Sequence, residues 1–111
     1  MKIYISIPMT GKNMDSQRKT ALEWSMFFSN KGFMVVSPFI LSDSLRLKHL
    51  SDNLEPPTYD EYLKFDLYNL QECTHIFLCN GWTESRGCMA EVDRAIELNL
   101  YFITESNIKV N

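Results

Sequence analysis

The sequence has little of what marks several large classes of protein. Its formal net charge is only −3, so no excess of basic side chains favours nucleic acid or an acidic membrane surface as a partner. No apolar run approaches the roughly 20 residues that span a bilayer. The start of the chain resembles a signal peptide only superficially, because its apolar segment is short and contains a proline. We therefore expect a soluble protein with no nucleic-acid partner and no membrane partner.

Cysteine is scarce as well. The three cysteines, Cys73, Cys79 and Cys88, are odd in number and show neither CxxC nor Cys/His spacing. That pattern argues against a disulfide framework and against a metal site. We expect free, largely buried thiols in a reducing cytoplasm, and we expect neither a metal nor a cofactor.

Apolar segments of strand character alternate along the chain with segments of helical periodicity. The predicted strands are residues 2–7, 33–37, 75–79 and 100–104, and the first two are expected to be buried. The predicted helices are residues 14–30, 58–73 and 85–99, and Gly32 is expected to cap the end of the first. Strands that alternate with helices predict an α/β fold in which a parallel sheet is covered by helices on both faces. The length of 111 residues suits one domain, residues 1–111.

Two stretches do not fit this alternation. Residues 39–57 are the least regular part of the chain: residues 41–50 could form a short helix, but Ser51 to Asn53 and Pro56-Pro57 are typical of a loop. A long connection in a compact domain is often functional, as a lid or a substrate-facing loop. The tail, residues 105–111, could add a short edge segment or fray.

The segment that follows the third strand predicts a binding site for an anion. Ser85 is a residue type that caps helices, and Gly87 lies at the predicted helix start. Unpaired backbone N–H groups and the helix dipole favour an anion at such a position. The loops after the first three strands all leave carboxyl ends, so we expect them to converge on one cleft. Met9 and Trp82 lie in those turns, either as walls against a flat ring or as plain packing residues.

Two carboxylates fall on the inward sides of the last two predicted helices. Glu91 lies at the edge of its helix's apolar arc, and Asp66 lies near the middle of its own. A buried carboxylate needs a partner or a cavity. The structural alternatives are an i,i+3 pair of Glu91 with Arg94 and a hydrogen bond that ties Asp66 to a neighbour. Together, two inward carboxylates beside one cleft favour a carboxylate-based active site. Tyr4, in the first strand, is most simply a packing residue, but its hydroxyl needs a partner that such a carboxylate would provide.

Three segments carry a resemblance to a known family. They are MKIYISIPMTG at the start, YDEYLKFDLYNLQECTHIFLCNGW in the middle, and GWTESRGCMAEVDRAIELNL after it. Together they resemble the nucleoside 2-deoxyribosyltransferase-like superfamily, in particular its short, mostly uncharacterised bacterial and phage branch. The resemblance covers most of the chain apart from residues 39–57 and the tail. It implies a flavodoxin-like or Rossmann-like three-layer sandwich with a parallel sheet of four to five strands.

The resemblance also implies roles for individual residues. Glu91 matches the nucleophile that attacks the anomeric carbon, and Tyr4 matches the strand tyrosine that orients it. Asp66 matches the aspartate that assists the leaving base or the sugar. Ser85 matches the serine that holds the 5′-phosphate in the nucleotide hydrolase branch. We expect a small-molecule nucleotide or nucleoside as substrate and, as in relatives, a homodimer or higher homo-oligomer.

The leading hypothesis is therefore an N-glycoside hydrolase or 2-deoxyribosyltransferase that acts through a glutamate nucleophile. The chain departs from the family pattern at Ile7, where many relatives have glycine, and residues 42–57 match nothing in the family. The alternative is a non-catalytic nucleotide-binding module on the same fold, because a fold does not fix a function. A flavin-binding electron carrier is a weaker reading, since the turn after Ile7 has no run of Ser, Thr and Gly long enough to wrap a phosphate.

Overall fold

The computed structural model describes residues 1–108 of the chain. It contains four strands and four α-helices within that range. The strands are β1 (Lys2–Ser6), β2 (Met34–Val36), β3 (His75–Leu78) and β4 (Tyr101–Thr104). The helices are α1 (Met14–Asn30), α2 (Pro38–Ser51), α3 (Tyr59–Leu70) and α4 (Arg86–Glu97). Short 3-10 turns at Trp82–Glu84 and Glu105–Asn107 complete the described elements.

The four strands form one parallel sheet in the order β2-β1-β3-β4. In the register, Tyr4 lies beside Val36 on one side and Ile76 on the other, and Ser6 lies beside Leu78. The order reverses between β1 and β3, which is the switch point where flavodoxin-like sheets leave a crevice at the carboxyl ends of the strands. The predicted α/β, flavodoxin-like three-layer fold is therefore confirmed, with four strands among the described residues.

The alternation of β1 separates the interior into two apolar clusters. Ile3, Ile5 and Ile7 point into the cluster that α1 covers, where Phe28 and Phe77 also pack. Tyr4 points to the opposite side, into the cluster formed with α3 and α4. Successive side chains of a strand point to opposite faces, so Ser6 shares the face of Tyr4. The hydroxyls of Tyr4 and Ser6 therefore lie on the same face of the sheet, toward α3 and α4.

Local capping explains where the helices that flank the site begin. The Thr58 hydroxyl accepts a hydrogen bond from the Glu61 backbone N–H at 3.2 Å, and the Glu61 carboxylate accepts one from the Thr58 N–H at 3.1 Å. This reciprocal capping box satisfies two backbone donors that the first turn of α3 would leave free. At the end of α1, Gly32 adopts a φ of +94°, as the predicted C-terminal cap requires.

Several predicted features are corrected by the structure. Most of residues 39–57 is not a loop, because α2 occupies Pro38–Ser51 and leaves only a short connection to α3. Pro38 stands at the first helical position, where its fixed φ and missing N–H favour the start of a helix. The strand at Met34–Val36 was expected to be buried, but it lies at the sheet edge and Met34 is exposed. The expected tail segment lies partly outside the described residues, and Glu105–Asn107 forms a turn.

Within residues 1–108, no helix combines the length and the apolar character needed to cross a membrane.

Candidate active site

The loops after β1 and β3 and the starts of α1, α2, α3 and α4 enclose a cavity of about 450 Å³. The two loops touch each other: Gly81 adopts a φ of +89°, and a Cβ there would lie 3.5 Å from the Pro8 ring. The residues that line the cavity and that carry the argument below are Ile7, Met9, Arg18, Phe39, Arg46, Tyr59, Asp66, Ser85, Gly87, Cys88 and Glu91. The predicted convergence of these loops and helix ends on one cleft is thus observed.

Glu91 is held by two hydroxyl groups from a single strand. The Tyr4 hydroxyl donates a hydrogen bond to Oε2, and the Ser6 hydroxyl donates one to Oε1 at 2.7 Å. Glu91 is only 6% exposed, and Tyr4 and Ser6 are fully buried. The alternative pairing of Glu91 with Arg94 does not occur, since Arg94 pairs with Glu97 at 3.0 Å. Glu91 is therefore a buried carboxylate whose two oxygens are each satisfied by a donor.

Asp66 differs from Glu91, because one of its carboxyl oxygens lacks a hydrogen-bond donor in the described part of the chain. Its Oδ1 is buried and has no hydrogen-bond partner among residues 1–108. A buried oxygen without a donor costs free energy, so a native structure retains one only where something compensates. The structural alternative, in which a hydrogen bond ties Asp66 to a neighbour, does not account for this oxygen. Because Asp66 lines the cavity, a ligand is the natural source of the missing donor, or a protonated Asp66 can act as a donor itself.

The surroundings raise the pKa of both carboxyl groups. For Asp66, burial is the main cause and the nearby charge of Glu91 adds to it, which raises the pKa to about 8. For Glu91, burial raises the pKa to about 7, and the hydroxyls of Tyr4 and Ser6 oppose the rise. Two interacting carboxyls titrate as a pair, and the donors around Glu91 decide which member of the pair loses its proton first.

The start of α4 forms the second half of the site. The Ser85 hydroxyl accepts a hydrogen bond from the Cys88 backbone N–H at 3.2 Å, so Ser85 is the predicted N-cap. Ser85 also borders a neighbouring cavity of about 570 Å³, which is lined by Lys12 and Arg86. Neither cation is in an ion pair within the described part of the chain. Glu84 lines the same cavity, so two cations and one carboxylate, together with the dipole of α4, leave this end of the site with a net positive charge.

Met9 and Trp82, the two apolar candidates from the sequence, lie in different surroundings. Met9 lines the main cavity and also packs against the cluster that α1 covers. Trp82 is not among the described residues that line either cavity at the site, and it packs against the cluster beneath α3 and α4. The structure thus gives Trp82 a packing role. Ile7 is buried and forms part of the cavity wall.

Two features of the site were missed in the sequence. One is Ser6, whose short side chain within an apolar strand gave no signal other than its two-residue spacing from Tyr4. The other is a pair of arginines on the cavity wall, Arg18 from α1 and Arg46 from α2, which share the carboxylate of Asp43. The hydrogen bond from Arg18 is the main cause that lowers the pKa of Asp43. Two guanidinium groups on one carboxylate leave one positive charge at this wall.

No curated protein sequence matches this chain. A protein-family model, described as "Domain of unknown function (DUF4406)", matches residues 1–104. The resemblance to the deoxyribosyltransferase-like superfamily stays a prediction, because that description names no activity. With nearly its whole length matched, the chain belongs to the DUF4406 family.

Proposed function

We propose that the chain cleaves or exchanges the N-glycosidic bond of a nucleotide or nucleoside, with Glu91 as the nucleophile. The observation that carries this proposal is the unequal pair of carboxyl groups in one cavity. Glu91 accepts a hydrogen bond on each oxygen, whereas Oδ1 of Asp66 accepts none from residues 1–108. The carboxyl with two donors is the easier one to ionise, and the other is the easier one to keep protonated. Glycosidic cleavage by a retaining mechanism requires one carboxyl in each state.

In the first step, one Glu91 oxygen attacks the anomeric carbon of the sugar. A C–O bond to Glu91 forms while the C–N bond to the base breaks, and the electron pair of that bond leaves with the base nitrogen. Asp66 donates its proton to the departing base, which avoids the release of an anion. The hydroxyls of Tyr4 and Ser6 keep the carboxylate oriented during the attack.

In the second step, a water molecule attacks the same carbon and releases Glu91. The water gives up its proton to the Asp66 carboxylate, and the electron pair of the C–O bond returns to the Glu91 oxygen. Both carboxyl groups then regain their starting states. If the nitrogen of a second base takes the place of water, the outcome is exchange of the base, the 2-deoxyribosyltransferase reaction.

We assign the substrate's 5′-phosphate to the start of α4. The first turn of α4 offers the backbone N–H of Gly87, whereas that of Ser85 already donates to the Trp82 carbonyl at 3.2 Å. Lys12 and Arg86 line the adjoining cavity. A Cβ at Gly87 would lie 3.6 Å from the Tyr59 hydroxyl, so that hydroxyl is close to the same backbone. A nucleoside monophosphate is therefore the preferred substrate class over a nucleoside. Ser85→Ala should weaken binding of a monophosphate by about 1–2 kcal/mol.

The experiment is to incubate the protein with a panel of nucleosides and nucleoside monophosphates, ribose and deoxyribose, and to detect free base by chromatography. Release of a base from at least one monophosphate, faster than from its nucleoside, is the expected result. Adding a second free base to the same reaction distinguishes exchange from hydrolysis. No free base from any member of the panel would contradict the proposal.

One observation favours the alternative of a non-catalytic nucleotide-binding module. The side chain of Ile7 is part of the cavity wall, and its bulk narrows the approach of a base or a phosphate. A module predicts binding of a nucleotide without turnover, and Ile7→Gly would then gain turnover if the side chain alone blocks the reaction.

We also propose that the chain works in the cytoplasm as a homodimer or a higher homo-oligomer. The three cysteines are buried and free, as expected in a reducing compartment. Apolar side chains on α2 are exposed, among them Ile40, Leu47 and Leu50, and such residues are common where copies of a chain meet. Light scattering that gives the mass of a monomer at all concentrations would contradict the assembly.

A further inference from the structure

Ser6 is a buried polar residue at the centre of an otherwise apolar sheet. It is fully buried, and its neighbour in the register of β3 is Leu78. A hydroxyl in such a position costs free energy unless it is hydrogen-bonded. Its hydrogen bond is the 2.7 Å contact with Oε1 of Glu91. Ser6 therefore contributes to the site through Glu91 and not through the packing of the sheet.

We propose that Ser6 is a positioning residue, whose hydroxyl and that of Tyr4 together clamp the two oxygens of Glu91 and hold the carboxylate ready for attack. This inference rests on the proposed function of Glu91. It adds a residue that neither the sequence pattern nor the family resemblance assigns.

The clamp works because each hydroxyl holds a different oxygen. The terminal torsion of a glutamate is broad, so one hydrogen bond to Oε2 would leave the carboxylate plane free to rotate about that contact. A second donor on Oε1 fixes the plane. Residues 4 and 6 of a strand point to the same face, so a single strand supplies both donors without any movement of the backbone. A reacting group held by rigid elements in this way loses little entropy at the transition state.

The clamp also favours the ionised form of Glu91, against the larger effect of burial, which raises its pKa. The titratable groups that face it are Tyr4 from β1, Asp66 from α3, Cys79 just after β3 and Cys88 from its own helix, and all four are acidic. Among the described residues, no cation lowers the pKa of Glu91. The hydroxyl protons of Tyr4 and Ser6 are the groups that favour its ionised form against burial. Loss of Ser6 is therefore not compensated by a neighbouring positive charge.

The test is to replace Ser6 and to measure the pKa of Glu91 directly. With glutamate labelled by carbon-13 at the carboxyl, the Glu91 signal is assigned by its absence in Glu91→Gln, and its shift is followed against pH. Ser6→Ala should raise the pKa of Glu91 by about one unit, the scale expected for a hydrogen bond to a charged group. Ser6→Cys, which is nearly the same size and donates only weakly, should give a smaller rise and serves if the alanine variant does not fold. Ser37→Ala is the matched control, because Ser37 is also buried but lines a different cavity.

The second measurement is base release by the same variants across pH. The acid limb of kcat should move to higher pH by the shift seen in the titration, with KM changed less than about twofold, because Ser6 touches Glu91 and not the substrate. An unchanged Glu91 pKa in Ser6→Ala and Ser6→Cys would overturn the inference, whatever the protein catalyses. A raised pKa in a protein that releases no base would instead refute the proposed function and leave the hydrogen-bond effect standing.

Discussion

The two faces of β1 are buried to the same degree but made of opposite kinds of side chain. Toward α1, Ile3, Ile5 and Ile7 pack into a cluster with aromatic rings, in which Phe77 lies 4.6 Å from Trp24 between ring centroids. Toward α4, the same strand presents the hydroxyls of Tyr4 and Ser6 to a buried carboxylate. One strand thus supports a dry core on one side and a polar network on the other.

The difference separates a face that stability alone explains from a face that stability does not explain. The α1 face is explained by apolar burial alone, which favours folding in proportion to the area removed from water. Apolar burial does not explain the α4 face, because this face buries two carboxyl groups and leaves one oxygen without a donor from residues 1–108. A chain selected only for stability would place apolar residues there. The polar face is therefore the one to test for chemistry, and the apolar face provides the controls.

The largest expected effect is on the polar face. Glu91→Gln should reduce base release by roughly 10⁴-fold or more, about 5 kcal/mol of transition-state stabilisation, because the amide keeps the shape but cannot attack. Nucleotide affinity should stay nearly unchanged, as measured by calorimetry. The matched control is Glu97→Gln on the same helix, whose carboxylate pairs with Arg94 at the surface. Equal turnover in the two variants would contradict the role of Glu91.

Substitutions on the apolar face should change the stability of the protein and not its catalysis. Phe77→Ala removes a fully buried ring and should lower the free energy of unfolding by about 3–5 kcal/mol. The control is Phe102→Ala on β4, whose ring is partly exposed and should cost less. In the fraction that stays folded at low temperature, base release per active site should keep the pH profile of the native protein. A shifted profile in Phe77→Ala would mean that the two faces are not independent.

The next effect is on how the free energy of unfolding depends on pH. The pKa of Asp66 is about 8 and that of Glu91 about 7 in the folded protein, above the values near 4 of unfolded carboxyls. Such groups stabilise the fold fully below the unfolded-state pKa, and this contribution is lost as pH rises through the folded-state pKa. The free energy of unfolding should therefore fall between about pH 4 and about pH 8.

Asp66→Asn tests whether the ionisation of Asp66 causes the fall in the free energy of unfolding. The amide cannot ionise, so the variant should lose part of the pH dependence and exceed the native protein in stability near pH 9 by roughly 1–3 kcal/mol. Urea unfolding at several pH values measures this. Base release should be lost at the same time, because the leaving base no longer receives a proton. A variant with the full native slope would show that Asp66 is ionised at neutral pH.

The smallest effect is expected from a substitution at the protein surface. Arg94→Ala breaks an exposed i,i+3 pair with Glu97 and should cost only a few tenths of a kcal/mol, with turnover unchanged. Thermal unfolding and the base-release assay are sufficient to measure it. A large loss of activity in this variant would mean that Arg94 acts on Glu91 in solution, contrary to the buried clamp.

Much of this arrangement could be predicted from the sequence. Helix α1 occupies the predicted residues 14–30, because its periodicity, its polar start and Gly32 all agree. The inward direction of Glu91 and Asp66 follows from their positions on helical arcs, and the structure brings both to one cavity. The partner of the Tyr4 hydroxyl was expected from the family resemblance as well as from the need of a buried hydroxyl for an acceptor.

The rest depends on information that a local pattern does not contain. Pro38 ends an apolar strand and also begins α2, and the sequence alone does not say which of these roles dominates. The exposure of Met34 follows from the strand order, which is decided by long-range pairing. The contact of Ser6 with Glu91 joins positions 85 residues apart. The shared carboxylate of Asp43 likewise depends on how α1 and α2 pack.

The most direct measurement is a search for the covalent intermediate. A nucleoside monophosphate that carries a 2-fluoro-2-deoxy sugar should form the glycosyl ester on Glu91 and then stall, because fluorine disfavours the oxocarbenium-like transition state of the second step. Intact mass should rise by one sugar phosphate with loss of the base, and fragmentation should assign the added mass to Glu91. Glu91→Gln should remain unmodified under the same conditions. An adduct on another residue, or full turnover by the glutamine variant, would contradict the nucleophile.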